Sequence, residues 1–94
     1  MKALFNGQVI AESDQVVPLE GHFYFPASSV KMEFLQASEH HTSCIWKGEA
    51  SYYHIIVGNQ TFENGAWYYP APSEKAEHIK DHIAFYTPPV EIQS

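Results

Sequence analysis

Hydrophobic and polar residues alternate in short stretches along the chain, and turn-forming residues separate the stretches. The clearest alternation covers residues 50–57, where Ala50, Tyr52, His54 and Ile56 fall on one side. Because successive side chains of a β-strand point to opposite faces, this spacing predicts a strand with two distinct faces.

The N-terminal residues show a hairpin pattern. Residues 2–5 and 8–11 are mostly apolar and flank the dipeptide Asn6-Gly7. Asn and Gly both tolerate the positive φ that a two-residue type I′ turn requires. The pattern therefore predicts that the first two strands pair antiparallel around this turn.

Further apolar and aromatic runs predict several more strands, with polar segments between them. A turn is expected at Asn64-Gly65, and 36–41 is expected to be a polar connector. A short edge strand is expected at 90–93. The other strands are predicted at 22–26, 30–35, 66–69 and 83–86.

One segment, Ser73 to Asp81, has the pattern of a short helix. Ser73 is a suitable N-cap, and Glu74 and Glu77 lie in the first turn, where the helix dipole favours acidic side chains. Many short strands with a single short helix are typical of an antiparallel, mainly β fold. We expect one domain over residues 1–94.

Charge and composition exclude several classes of partner. The chain has eleven acidic residues, five Lys and no Arg, for a net charge of −6. Because nucleic-acid binding depends on neutralising phosphates, we expect no DNA or RNA partner. No apolar stretch approaches the roughly 18–20 residues that span a bilayer, so no membrane partner is expected. A single Cys and the lack of a signal-peptide pattern predict a cytoplasmic protein.

The segment 42–48 carries the main candidate chemistry. Lys47 follows Cys44 by three residues and can favour its reactive thiolate, and His41 can accept the proton. Cys44, Lys47 and His41 are therefore the candidate catalytic residues. The alternative is that Cys44 is a small buried apolar residue, as free cysteines usually are.

Aromatic residues provide a second candidate site. A pocket around Lys47 can be lined by aromatic side chains, which is a common composition for small-molecule sites. The candidates are Trp46, Tyr52, Trp67, Tyr69 and Tyr86.

We expect neither a bound metal nor a cofactor. Convergence of histidines with Cys44 is the main metal-binding alternative, but their spacing matches no recognised ligand pattern. The residues concerned are His22, His40, His41, Cys44 and His54. The chain also lacks the Gly-rich loops that hold nucleotide phosphates.

Several segments in order resemble the family catalogued as domain of unknown function 427. They are Phe23-Tyr24-Phe25-Pro26, Thr42-Ser43-Cys44-Ile45-Trp46-Lys47-Gly48, Ala50-Ser51-Tyr52-Tyr53, Ala66-Trp67-Tyr68-Tyr69-Pro70 and Ile83-Ala84-Phe85-Tyr86. The resemblance runs from Leu4 to about Val90. It implies a compact fold of the Mss4-like or β-tent type, in which two antiparallel sheets meet at an angle.

Other properties of that family do not transfer to this sequence. Zinc-binding relatives of the fold use Cys-x-x-Cys pairs, and this chain has one Cys. The family has also been given a nucleotidyltransferase-like label, but this sequence contains no motif for binding a triphosphate or Mg²⁺. Ile45-Trp46 also stands where members usually have Pro-Tyr, and Ser29 stands at an often acidic position.

The expected function is binding of a small ligand by Cys44, Lys47, Tyr52, Trp67 and Tyr69. Two alternatives stay open. One is a small enzyme that uses Cys44 with Lys47 or His41. The other is a homo-oligomeric interaction protein that pairs through the edge strand at 90–93. The chain is accordingly expected to be a monomer or a homo-oligomer.

Overall fold

The computed structural model describes all 94 residues, and nine β-strands dominate it. The strands are β1 Lys2–Phe5, β2 Gln8–Glu12, β3 Val17–Leu19, β4 His22–Pro26, β5 Leu35–Cys44, β6 Gly48–Val57, β7 Gln60–Tyr68, β8 His82–Phe85 and β9 Glu91–Gln93. Three 3₁₀ segments complete the fold, at Ala27–Ser29, Met32–Phe34 and Glu74–Ile79. None of these helical segments is long and apolar enough to cross a membrane.

The strands form two antiparallel sheets. The small sheet has the order β2-β1-β9, and the large sheet has the order β3-β4-β8-β7-β6-β5. The expected fold class, mainly β with two antiparallel sheets, is therefore confirmed. The short strand predicted at 90–93 is an edge strand, since β9 pairs only with β1.

The two faces of the large sheet differ in what covers them. One face, here called the inner face, packs against the small sheet around an apolar core. The buried residues of this core are Ala3, Phe5, Ile10, Ala11, Phe25, Val30, Ile55, Ala66, Ile83, Phe85 and Val90. The opposite face, here called the outer face, is covered in part by the segment that contains Ala76 and Ile79.

The first hairpin forms around the predicted turn. Asn6 and Gly7 both have positive φ, at 51° and 79°, and join β1 to β2. A second two-residue turn of the same kind, Glu20-Gly21, joins β3 to β4 with φ values of 54° and 81°. Both turns match the right-handed twist of the strands they connect.

Two of the segments predicted in the middle of the chain have a different structure from the one expected. Residues 30–35 do not form a strand, because Met32–Phe34 is a 3₁₀ turn and Val30 makes only a single bridge to Ala11. The Lys31 N–H donates to the Ile10 carbonyl at 2.8 Å, so this segment crosses from the small sheet to the large one. Residues 36–41 are not a connector but part of β5, whose position at the sheet edge leaves its polar side chains exposed.

The turn predicted at Asn64-Gly65 is also wrong. Both residues lie within β7, where the pairing with β6 shifts by two residues and Asn64 has a φ of 55°. The backbone N–H of Asn64 donates to His54 Nδ1 at 3.0 Å, so a side chain of the neighbouring strand stabilises the bulge. A shift of two residues keeps the alternation of faces intact.

The predicted helix at 73–81 forms as a 3₁₀ segment, Glu74–Ile79, with a kink at Ala76 (φ −112°, ψ 16°). Ser73 precedes it but makes no side-chain capping bond. Its hydroxyl donates instead to the carbonyl of Trp46. The segment therefore connects the β5–β6 turn to the outer face. Its contacts with the rest of the fold, rather than a regular α-helix, hold it in place.

Candidate functional site

The outer face carries aromatic side chains that end in polar atoms. Its buried residues are Tyr24, Ala50, Tyr52, Trp67, Tyr69, Ala76, Ile79 and Ala84, with Val17, Leu19, Cys44 and Trp46 partly buried against them. Hydroxyl and indole groups of this kind need hydrogen-bond partners when they are buried. The outer face therefore combines apolar packing with buried polar atoms that need hydrogen-bond partners.

Lys47 is the charged centre of this face. It lies in the turn between β5 and β6 and is only 9% exposed. Its Nζ forms an ion pair with the Glu20 carboxylate. Nζ also lies 5.3 Å from the ring centre of Trp46 and 5.6 Å from that of Tyr69, within the range of cation–π attraction.

The backbone around Lys47 is held by the segment that follows β7. Gly48 has a φ of 111°, and a Cβ at this position would lie 3.2 Å from the Ala71 carbonyl oxygen. The Ser73 N–H donates to the Lys47 carbonyl at 2.9 Å. A glycine is favoured here because the positive φ and the close approach of Ala71 both oppose a Cβ.

Glu20 reaches Lys47 from the opposite end of the face. It occupies the first position of the β3–β4 turn, where positive φ normally favours Asn or Gly over Glu. Its side chain is 47% exposed, whereas that of Lys47 is 11% exposed. The pair therefore joins a buried ammonium to a carboxylate at the protein surface.

The ionisation of these groups follows from their contacts. The hydrogen bond from Lys47 lowers the pKa of Glu20. Burial alone lowers the pKa of Lys47, but the hydrogen bond to Glu20 and the nearby Tyr69, Tyr24 and Cys44 outweigh it, so the net pKa is raised. Burial raises the pKa of Tyr69 to about 12, so its hydroxyl stays protonated at neutral pH.

Trp67 lies at the middle of the outer face. Its Nε1 donates to the Tyr24 hydroxyl at 3.2 Å, and burial raises the pKa of Tyr24. The His22 ring meets Trp67 edge-on at 4.8 Å, and Tyr86 lies 4.5 Å away on another side. His22 Nδ1 is buried without a hydrogen-bond partner. This part of the face is closely packed around one indole ring.

Tyr52 continues the face toward β5. Its hydroxyl bonds the Thr42 hydroxyl at 2.9 Å, and its ring lies 4.7 Å from the ring of His40. Burial, together with Tyr52, raises the pKa of Tyr86. Tyr52 therefore contacts both β5, through Thr42 and His40, and the Tyr86 side chain.

The five predicted ligand-binding residues lie on one face. Tyr52, Trp67 and Tyr69 belong to the buried cluster of the outer face, Cys44 packs against that cluster, and the Lys47 ammonium lies beside the Tyr69 ring. Cys44 is a half-buried free thiol. The five residues come from three strands and two connecting segments.

His41, the third candidate catalytic residue, is separated from the other two. It pairs with Ser51 across the sheet, and its Nδ1 lies 3.1 Å from the Ser51 hydroxyl. Residues 41–44 pair regularly with β6, so His41 and Cys44 point to opposite faces. The geometry therefore does not bring His41 to the Cys44 thiol.

The histidines considered as metal ligands are distributed over the large sheet. His22 contacts Trp67, His40 contacts Tyr52, and His54 accepts a backbone hydrogen bond. No three His, Cys, Asp or Glu side chains gather closely enough to hold a metal ion.

Two surface cavities lie next to the outer-face cluster. One, of about 560 Å³, lies over β5, β6 and β7 and is lined by Gln36, Ala37, Ser38, Glu39, His40, His54, Ile56, Thr61 and Glu63. The other, of about 510 Å³, is lined by Ile45, Trp46, Ser73, Glu74 and Lys75. None of the five predicted residues lines either cavity, but Trp46 lines the second cavity and its ring centre lies 5.3 Å from Lys47 Nζ.

A family model described as Domain of unknown function (DUF427) matches the chain over residues 1–94. The chain belongs to this family. The resemblance inferred from the ordered aromatic and Cys-Lys segments is thereby confirmed. Among the curated proteins, none matches the chain.

Glu20 and Tyr24 are parts of this candidate site that the sequence patterns did not indicate, and His22 was considered only as a metal ligand. The sequence feature that could have indicated Glu20 is the dipeptide Glu20-Gly21, which lies between the apolar run 16–19 and the aromatic run 22–25. A hairpin interpretation of this dipeptide would have placed Glu20 at an unfavourable turn position. Its partner Lys47 is 27 residues away and has no local signal.

Proposed function

We propose that this chain is a small-ligand-binding domain whose site is the outer face around Lys47, with Cys44, Tyr52, Trp67 and Tyr69. The observation that carries the proposal is the environment of Lys47. The residue is 9% exposed, and its ammonium lies beside two aromatic rings with a surface carboxylate as its ion-pair partner. A buried charge is costly unless it has a partner. Ionisable groups in perturbed environments cluster at functional sites, which supports a ligand site here.

The surroundings of Lys47 support the same proposal. Small-molecule sites combine aromatic walls with a few well-placed polar groups. Here Trp46 and Tyr69 supply the walls, and Lys47 supplies the polar group. The Gly48 backbone and its neighbour Ala71 hold the turn in one conformation, which lowers the entropy lost on binding.

A panel of small molecules tests the proposal. Anionic, cationic and neutral aromatic compounds are titrated while backbone amide NMR shifts are followed. We expect at least one class to shift the amides of 45–48 and 66–69, and to raise the temperature of unfolding in proportion to its occupancy.

Two variants locate the binding. Lys47→Met is expected to abolish the shifts, whereas Lys2→Met, which removes an exposed cation on the small sheet, is expected to leave them unchanged. A panel with no binder, or binding that survives in Lys47→Met, contradicts the proposal.

Several finer expectations also stay predictions. A cytoplasmic location agrees with the single free Cys44, and cell fractionation tests it. The Mss4-like assignment refines the two-sheet fold class, and comparison with solved members of that fold tests it. An enzymatic role for Cys44 with Lys47 is tested by iodoacetamide labelling against pH, in which an apparent pKa at or above about 8.5 contradicts a reactive thiol.

A further inference from the structure

The position next to the Lys47 ammonium is already filled. Neither cavity of the structure is lined by Lys47 or Glu20. A ligand that reaches the ammonium must therefore displace a group that now contacts it. The groups in contact are the carboxylate of Glu20 and the rings of Trp46 and Tyr69.

Glu20 is the group in this set that can leave most readily. Tyr69 is 6% exposed and belongs to the buried cluster, and Trp46 is partly buried against it. Glu20 has a side chain that is 47% exposed, on a two-residue turn at the surface. Its φ of 54° is unfavourable for a residue with a Cβ, so the backbone conformation of the turn gives no reason for a Glu at this position.

We propose that the ligand carries a carboxylate that replaces the Glu20 carboxylate on Lys47. The inference rests on the function proposed above and names the class of ligand. The structure already holds a carboxylate against this ammonium, so the geometry accepts that group. An ammonium has three N–H donors, and a charged acceptor gives it the strongest hydrogen bonds.

The body of the ligand has space beside Trp46. The cavity of about 510 Å³ borders this ring and is lined also by Ile45, Ser73, Glu74 and Lys75. Ile45 is fully exposed, so this cavity has an apolar side chain on its lining that a ligand can contact. A carboxylate on a planar or apolar body can therefore contact Lys47 and Trp46 together, and benzoate is the simplest probe of this class.

Glu20 then acts as an internal competitor of the ligand. Removal of its charge leaves Lys47 without its counter-ion, and removal of the whole side chain also vacates the position that the ligand takes. The proposal therefore makes an unusual prediction, in which loss of a charged residue of the site strengthens binding. If Glu20 instead bound the ligand directly, its removal would weaken binding.

Benzoate titrations at constant ionic strength, followed by amide NMR, test this prediction. Glu20→Gln and Glu20→Gly are expected to bind benzoate at least about tenfold more tightly than the wild type, a change of about 1.4 kcal/mol. Glycine also accepts the positive φ of the turn. Glu20→Gly therefore allows benzoate binding to be measured even if Glu20→Gln folds poorly. Glu91→Gln removes one exposed carboxylate from the small sheet and is expected to match the wild type.

Two further comparisons complete the experiment. Benzylamine has the same ring with the opposite charge and is expected to gain nothing from either Glu20 substitution. Lys47→Met is expected to lose benzoate binding. Equal or weaker benzoate binding by both Glu20 variants, when their circular dichroism is native, overturns the inference, as does benzoate binding that survives in Lys47→Met. If another compound of the panel still binds at Lys47, the proposed function stands; if no compound binds, both fail.

Discussion

The two faces of the large sheet are built from the same strands but from different chemistry. The inner face packs Phe25, Ile55 and Phe85 against the small sheet, and none of these side chains has a polar atom. The outer face packs residues such as Tyr24 and Trp67, which are equally buried but hydrogen-bonded to each other. Burial of a polar group is costly unless the group is paired, so the outer face depends on hydrogen bonds between its side chains as well as on packing. The two faces therefore bury their side chains in different ways, by apolar packing on the inner face and by packing with paired polar groups on the outer face.

The largest effect is expected on the inner face. Phe25→Ala should lower the free energy of unfolding by about 3–5 kcal/mol, because Phe25 is fully buried and its removal leaves a cavity. Phe23→Ala, two residues earlier on β4 but 36% exposed, should cost much less. Urea unfolding measures both. Similar losses for the two substitutions would contradict the assignment of the inner face as the main stabilising core.

A smaller effect is expected at the turn that carries Lys47. Gly48→Ala should cost about 1–3 kcal/mol, because its φ of 111° and the Ala71 carbonyl at 3.2 Å both oppose a Cβ. Gly58→Ala is the matched control, since its φ of 59° is also positive but no atom lies within 4 Å of its Cβ position. Thermal unfolding compares the two. A larger loss at Gly58 would show that the approach of Ala71 to the turn is unimportant.

The outer face itself is probed by Tyr24→Phe. This substitution should cost about 1–2 kcal/mol, because the buried Trp67 Nε1 loses its hydrogen-bond acceptor. Tyr86→Phe removes a hydroxyl from a side chain that is 40% exposed and should change stability by less than about 0.5 kcal/mol. Chemical denaturation of the two variants measures the difference. A neutral or stabilising Tyr24→Phe would mean that the polar ends of the outer face do not stabilise each other.

The smallest effect is the pH dependence of the Glu20–Lys47 pair. The pKa of Glu20 is lowered on folding by Lys47, so its contribution is present above its unfolded pKa of about 4.3 and is lost as the pH falls through the lower folded value. The pKa of Lys47 is raised, so its contribution is present below about pH 10.4 and is lost as the pH rises through the higher folded value.

Denaturation of the wild type and Glu20→Gln at a series of pH values checks this sign. The stability difference between them should be constant between about pH 5 and 9 and should shrink as the pH falls from about 5 to 3. The effect is modest because the Glu20 side chain is half exposed. A difference that stays the same at low pH would contradict the ion pair.

Local patterns predicted the parts of this fold that depend on neighbouring residues. The alternation over 50–57 gave the two faces of β6 correctly, with Tyr52 on the outer face and Ile55 on the inner one. Asn6-Gly7 gave the first hairpin, because its turn type depends only on the φ of two residues. The ordered aromatic segments likewise gave the family.

The failures come from segments whose neighbours in space decide their structure. Residues 36–41 are polar because β5 is a sheet edge, and composition alone does not distinguish an exposed edge strand from a loop. Asn64-Gly65 is a typical hairpin dipeptide, but His54 of the adjacent strand accepts its N–H and converts it into a bulge.

The amino-acid sequence predicted the fold class, the family and five residues that lie together on the outer face. It did so because strand alternation and turn preference are properties of residues close in the chain. The contact of Glu20 with Lys47 and the separation of His41 from Cys44 depend instead on the three-dimensional fold. Glu20 and Lys47 are 27 residues apart, and their contact depends on how the strands between them are ordered in the sheet. The register of β5 on β6, and not the short distance in sequence, sets the side to which His41 points.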